Sequence, residues 1–139
     1  MGVVVAPCSP ADPTEQVFEL PWGFPTLNDL LRETSHHWSN RSKSKRKWQT
    51  IIIAEIKRAR IKKYAGPVGI TISYYPPNRK RDPDNAAAVV RKYVLDALQQ
   101  SQVIEQDNWS GIDYLRDNFC DPIKDDPKIK VNIEGILKQ

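Results

Sequence analysis

The chain has 139 residues, 40% of them hydrophobic and 27% charged, with a formal net charge of +4. Those values describe one soluble globular domain with a core that needs no disulfides, and they exclude a disordered chain or a disulfide scaffold. An isoelectric point near 9.1 favours an anionic partner.

Residues 1–16 carry three prolines and little apolar pattern, which predicts a flexible tail ahead of a single domain at 17–139. Val3 to Ala6 is a short apolar run without a basic flank, so neither a signal peptide nor a membrane span is expected. Cys8 and Cys120 lack metal-ligand spacing, so zinc is not expected and a reducing cytoplasmic setting fits.

Val17-Phe18-Glu19-Leu20 alternates as a short strand, stopped by Pro21-Trp22-Gly23-Phe24-Pro25. Trp22 and Phe24 read as core or loop packing, with base stacking as the alternative. Thr26 suits the N-cap of a short helix over 27–34. A polar break at 35–40, which leaves His36 and His37 as loop residues, precedes one long helix over 41–64, stopped by Gly66-Pro67. Within that helix Trp48, Ile52, Ile56 and Ala59 form a buried stripe, widened by Ile51 and Ile53. Its opening cluster of Lys43, Lys45, Arg46 and Lys47 opposes the helix dipole, a conflict that an incoming phosphate relieves.

The clearest strand is 68–75, with Val68, Ile70, Ile72 and Tyr74 on one face. Pro76-Pro77 ends it. Two further strands are expected over 110–116 and 128–134, joined by a turn-rich link at 121–127. The fold class is therefore α+β. A small mixed sheet packs against the long helix and against a second helix that begins after Asp82.

That second helix follows Asn78-Arg79-Lys80-Arg81-Asp82-Pro83-Asp84-Asn85. Two carboxylates at i and i+2 repel unless positive charge lies beside or between them. Read for stability alone, Asp82 caps the helix, Pro83 occupies its first position and Asp84 faces the positive end of the dipole. Read for function, Asp82 and Asp84 offer hard oxygen ligands to magnesium. Ala86, Val89, Val90, Tyr93, Val94, Ala97 and Leu98 form the helix's packing face. Lys92 lies two turns beyond Asn85, and the competing reading pairs it with Asp96. A second acidic patch, Glu105-Gln106-Asp107, follows.

Asp82-Pro83-Asp84-Asn85, then Lys92-Tyr93-Val94-Leu95-Asp96-Ala97-Leu98, then an acidic residue at 107 resembles the signature of the RusA family of Holliday-junction resolvases. These are endodeoxyribonucleases of bacteria and their prophages. Leu20-Pro21-Trp22 and Asn28 resemble the family's opening segment, and the likeness extends over about 18–136. It implies a magnesium-dependent homodimer that introduces paired nicks across four-way junction DNA.

By resemblance the metal ligands are Asp82, Asp84 and Asp107, with Glu105 and Asp113 as rivals for the third. The catalytic lysine falls on Lys92 when the helix is aligned on Asp96-Ala97-Leu98. It falls on Ala88 when aligned on Asp84-Asn85. Arg79, Lys80, Arg81 and the Lys43, Lys45, Arg46, Lys47 cluster are expected to bind backbone phosphates. The alternatives are a non-catalytic branched-DNA-binding protein and a structure-tolerant flap or fork nuclease.

Overall fold

The structure is a computed structural model and describes residues 13–26, 29, 38–80, 83–105 and 110–138, with only the backbone of 38–42. It is α+β. The elements run β1 (Thr14–Pro21), α1 (Trp38–Arg58), β2 (Tyr64–Tyr75), α2 (Pro83–Gln100), β3 (Ile112–Phe119) and β4 (Lys128–Leu137). The four strands form one mixed sheet in the order β1-β4-β2-β3. β2 and β3 are parallel and the other neighbours antiparallel. A parallel pair needs a crossover connection, and α2 provides it.

Alternation sets the two faces of the sheet. Phe18 and Leu20 of β1, Val68, Ile70, Ile72 and Tyr74 of β2, and Ile129, Val131 and Ile133 of β4 point inward and are buried. They meet Trp48, Ile52 and Ile56 of α1 and Val89, Val90, Tyr93, Val94, Ala97 and Leu98 of α2 in one core. Both expected helical stripes are therefore buried, apart from Ala59, which is exposed, and Ala86, which is half-buried. Gln49 joins the interface between the helices, its Nε2 donating to the Tyr93 carbonyl at 3.0 Å. The opposite sheet face is polar, with Glu15, Glu19, Lys130 and Asn132 among its residues.

Several boundaries differ from expectation, each for a local reason. β1 starts at Thr14, so the last residues assigned to the tail belong to the sheet, paired with β4 through Thr14 and Gly135. There the Gln16 side chain bonds a backbone outside the ladder, donating to the Lys62 carbonyl (2.9 Å) and accepting the Lys62 N–H (2.7 Å). Residues 1–12 and most of the expected 27–34 helix lie outside the described residues. Its Thr26 cap is present: the Thr26 Oγ1 accepts the Asp29 N–H (3.2 Å) and an Asp29 oxygen accepts the Thr26 N–H (3.0 Å).

α1 ends at Arg58, not at 64. Arg60 takes a left-handed conformation (φ 55°), its N–H bonds the Lys57 carbonyl, and the Ile61 N–H bonds the Ile56 carbonyl. This is a Schellman motif with arginine where glycine is usual. α2 ends the same way: Gln102 has φ 61°, its N–H bonds Gln99, and the Val103 N–H bonds Leu98. Tyr64 then starts β2, and its N–H meets the Val103 carbonyl at 2.9 Å, tying that strand to the end of α2. α1 also begins at Trp38, before the expected 41. Lys43 to Lys47 thus lie beyond the first turn, where the helix dipole no longer opposes them strongly. β3 runs 112–119 instead of 110–116 because its parallel pairing follows β2 as far as Tyr74 and Phe119. β4 continues past 134 because Leu137 pairs with Tyr64.

Candidate active site at the start of the second helix

β2 delivers the chain to the acidic motif. Beyond Tyr75 the two prolines leave the ladder, and neighbouring backbone fixes their course: the Ile123 N–H bonds the Pro76 carbonyl at 2.8 Å, and the Cys120 N–H bonds the Tyr74 carbonyl at 2.9 Å. The Asn78 side chain accepts the Lys80 N–H at 2.9 Å, turning the chain toward α2. Pro83 then opens the helix with its φ already preset and no N–H to satisfy. Asp84 lies in the first turn, exposed, where the dipole favours an anion. The buried face of α2 holds this turn at the end of the sheet.

Asp82, Arg81 and Asp107 lie outside the described residues. Among the described residues no group of three His, Cys, Asp or Glu side chains is gathered to hold a metal. The donor chemistry of the motif still fits a hard divalent cation: carboxylate oxygens without thiolate or imidazole, at an exposed turn with room for the waters magnesium retains. Of the two rivals for the third ligand, neither is near. Glu105 follows the far end of α2, and Gln100 is already roughly 24 Å from Asp84 along the helix axis. Asp113 lies at the start of β3, beside Val68, so about 20 Å of strand separates it from the Tyr75 end.

Lys92 is exposed on α2, about 12 Å along the axis from Asp84. Its Nζ pairs with Asp96 Oδ1 at 3.4 Å, and Lys45 Nζ of α1 reaches Asp96 Oδ2 at 3.2 Å. Together with Arg46 and Gln49 they line a groove of about 620 Å³ between the helices. Three of the predicted cations therefore gather in one groove, and two of them, Lys45 and Lys92, share the Asp96 carboxylate. Lys43 and Lys47 are exposed on α1. Arg79 is exposed nearer Asp84, its Nη2 2.7 Å from Asp121 Oδ1. An exposed pair of this kind contributes little to stability, so a phosphate can compete for the arginine. Lys80 is exposed beside it.

Two features escaped the sequence reading. Arg91 of α2 pairs with Asp117 of β3, whose other oxygen accepts the Tyr74 hydroxyl at 2.9 Å. Burial first, then the Asp117 charge and hydrogen bond, hold the Tyr74 phenol far above its ordinary value. The available signal was alternation carried three residues further along β3, which turns Leu115, Asp117 and Phe119 to the same face. An inward aspartate in a strand demands a partner. The second feature is a cavity of about 350 Å³ lined by residues from four parts of the chain, among them Trp22, Tyr74, Pro77, Arg79, Ala86 and Phe119.

No protein-family model matches the chain, and no curated protein matches it significantly in sequence.

Proposed function

We propose that the protein is a magnesium-dependent endodeoxyribonuclease that acts on four-way DNA junctions as a homodimer. The observation that carries this reading is the exposed Asp84 on the first turn of α2, inside Asp82-Pro83-Asp84-Asn85 and flanked by the exposed Arg79 and Lys80. A carboxylate turn among phosphate-binding cations suits phosphodiester hydrolysis. Asp82, Asp84 and a third carboxylate would hold magnesium, which would supply an activated water and screen charge on the phosphate.

The chain's own residues would do the rest. Arg79 and Lys80 bind the backbone beside the scissile phosphate. Lys45, Arg46 and Lys92 bind a neighbouring stretch of backbone along the groove between the helices, without reading bases. A role for Lys92 in stabilising developing negative charge requires it to leave Asp96.

Asp107 is the third ligand by the family resemblance. Its rivals stand remote from Asp84, Glu105 past the end of α2 and Asp113 at the start of β3.

One observation favours a second reading. Lys92 is already paired with Asp96, as a purely DNA-holding surface would allow. A non-catalytic branched-DNA-binding protein would use the same cations. Junction cleavage with and without magnesium, run beside Asp82→Asn and Asp84→Asn, separates the two. The variants should bind four-way junctions and lose nicking. If the unaltered protein cuts no junction with magnesium or manganese, the nuclease reading is wrong. Flap and fork substrates in the same panel distinguish a junction resolvase from a structure-tolerant nuclease.

A further inference from the structure

The cavity beside the motif is not explained by metal or phosphate binding. Its volume of about 350 Å³ is near the lower limit for ligand pockets, roughly 300–1,000 Å³. Its walls are flat and mainly apolar: Pro77, Trp22 and the ring of Phe119. Phe119 is 53% exposed, and Val17, the other exposed large hydrophobic residue among those described, does not line the cavity. The Phe119 ring stacks on Tyr74 at 5.3 Å between centroids and 26° between planes. Tyr74 is in turn held by Asp117, and Asp117 by Arg91. The exposed ring thus has a buried, hydrogen-bonded support, so the surface is preorganised and little ordering is needed when a ligand stacks on it.

Position and charge narrow the occupant. Pro83 and Ala86 line the cavity, so its wall includes the helical turn that carries Asp84. Arg79 also lines it, and its guanidinium pairs with the exposed Asp121. Planar apolar walls with a cation at the edge complement a nucleotide: the base stacks, and the phosphate meets the arginine. The space is sufficient for one base.

We propose that this cavity receives a single unpaired nucleobase, stacked on Phe119, from a DNA strand whose backbone passes Asp84. Bases at a branch point have lost a stacking neighbour, so extruding one costs less there than within continuous duplex. The inference rests on the nuclease reading above and adds a base-recognition site to it.

The test uses four-way junctions with single abasic sites placed one at a time across the crossover. Binding is measured by fluorescence anisotropy for the full chain, for Phe119→Ala and for Phe119→Trp. One abasic position should weaken binding by the unaltered protein about tenfold, the scale of one lost base–aromatic stack. Phe119→Ala should weaken binding to the intact junction by a similar factor, and the two losses should not add. Phe119→Trp should retain binding and the sensitivity to that abasic position. Phe119 is half exposed and stacks on Tyr74, so the alanine variant should remain folded and unfold cooperatively, only a few degrees below the unaltered protein. The base site is overturned if the protein binds and cuts junctions while Phe119→Ala behaves as the unaltered chain, or if the two losses add in full. If the protein binds no branched DNA at all, the nuclease reading falls and the base site with it.

Discussion

Arg91 and Asp117 join α2 to β3 across the inner face of the sheet, and the carboxylate they share with Tyr74 is 14% exposed. One charged group thus fixes the crossover helix, the central strand and the edge strand beside the candidate site. Asp117→Ala leaves a half-buried guanidinium and a buried phenol without their acceptor. Urea denaturation should show a loss of about 2 kcal/mol, below the 3–5 kcal/mol of a fully buried pair because Arg91 keeps some water. Arg91→Met combined with Asp117→Leu should recover much of it. A loss under 0.5 kcal/mol for Asp117→Ala would mean that the pair does not hold these elements together.

The raised Tyr74 phenol sets a sign for alkaline stability. Above the ordinary tyrosine value of 10.0 the unfolded chain releases this proton while the folded chain keeps it. The folded state then binds more protons, so stability is intact below pH 10 and declines above it. The limiting slope is about 1.4 kcal/mol per pH unit per tyrosine. Tyr64, also raised by burial, contributes in the same direction. Tyr74→Phe should therefore lower stability at pH 8 but flatten its decline between pH 10 and 11.5, as measured by denaturant midpoints across that range.

Asp96 pairs with Lys45 and Lys92 in the groove between the helices, so DNA bound there would compete with it for both ammonium groups. Asp96→Asn should tighten junction binding a few-fold at low salt. Lys45→Met and Lys92→Met should each weaken it and reduce the slope of log affinity against log salt by about one. An unchanged slope in both lysine variants would place DNA elsewhere on the surface.

Complementation tests which chain supplies the third carboxylate. Asp84→Asn and Asp107→Asn should each abolish nicking alone. Mixed and allowed to exchange subunits, they should regain it only where Asp107 comes from the partner subunit, because each heterodimer would then contain one complete site. The product should be junctions nicked in one strand. No recovery from a mixture shown to contain heterodimers would place all the ligands within one chain.

Both helices end on a non-glycine residue in the left-handed region, which costs roughly 1–2 kcal/mol for an L residue. Arg60→Gly relieves that strain against a smaller entropic loss in the unfolded chain, and should raise stability by about 0.5–1 kcal/mol in thermal or urea unfolding. Gln102→Gly should gain less, since the Gln102 Oε1 that accepts the Lys63 ammonium is lost.

Local periodicity carried much of the fold. The inward face of β2, the stripes of both helices and the alternation of β4 follow from side-chain spacing, because burial on one face imposes periods of 2 and 3.6 wherever an element packs on a core. Pro83 and Asp84 at the head of α2 were legible for the same local reason. The end of α1 was not, because Arg60 occupies a turn where glycine is the usual signal, and only the surrounding hydrogen bonds impose that conformation.

Tertiary structure decided what comes together. The parallel pairing of β2 and β3 sends the chain back along α2, so Glu105 and Asp113 end far from the carboxylate they follow in sequence. It turns Asp117 inward between an arginine and a tyrosine that are distant in the chain. It gathers Trp22, Ala86 and Phe119 around one cavity. It also sets Lys92 beside Lys45 of the other helix, around Asp96. Charge and spacing nominated the acidic turn and the cations, but no pattern along the chain specifies which residues a crossover connection brings within a few ångströms of one another.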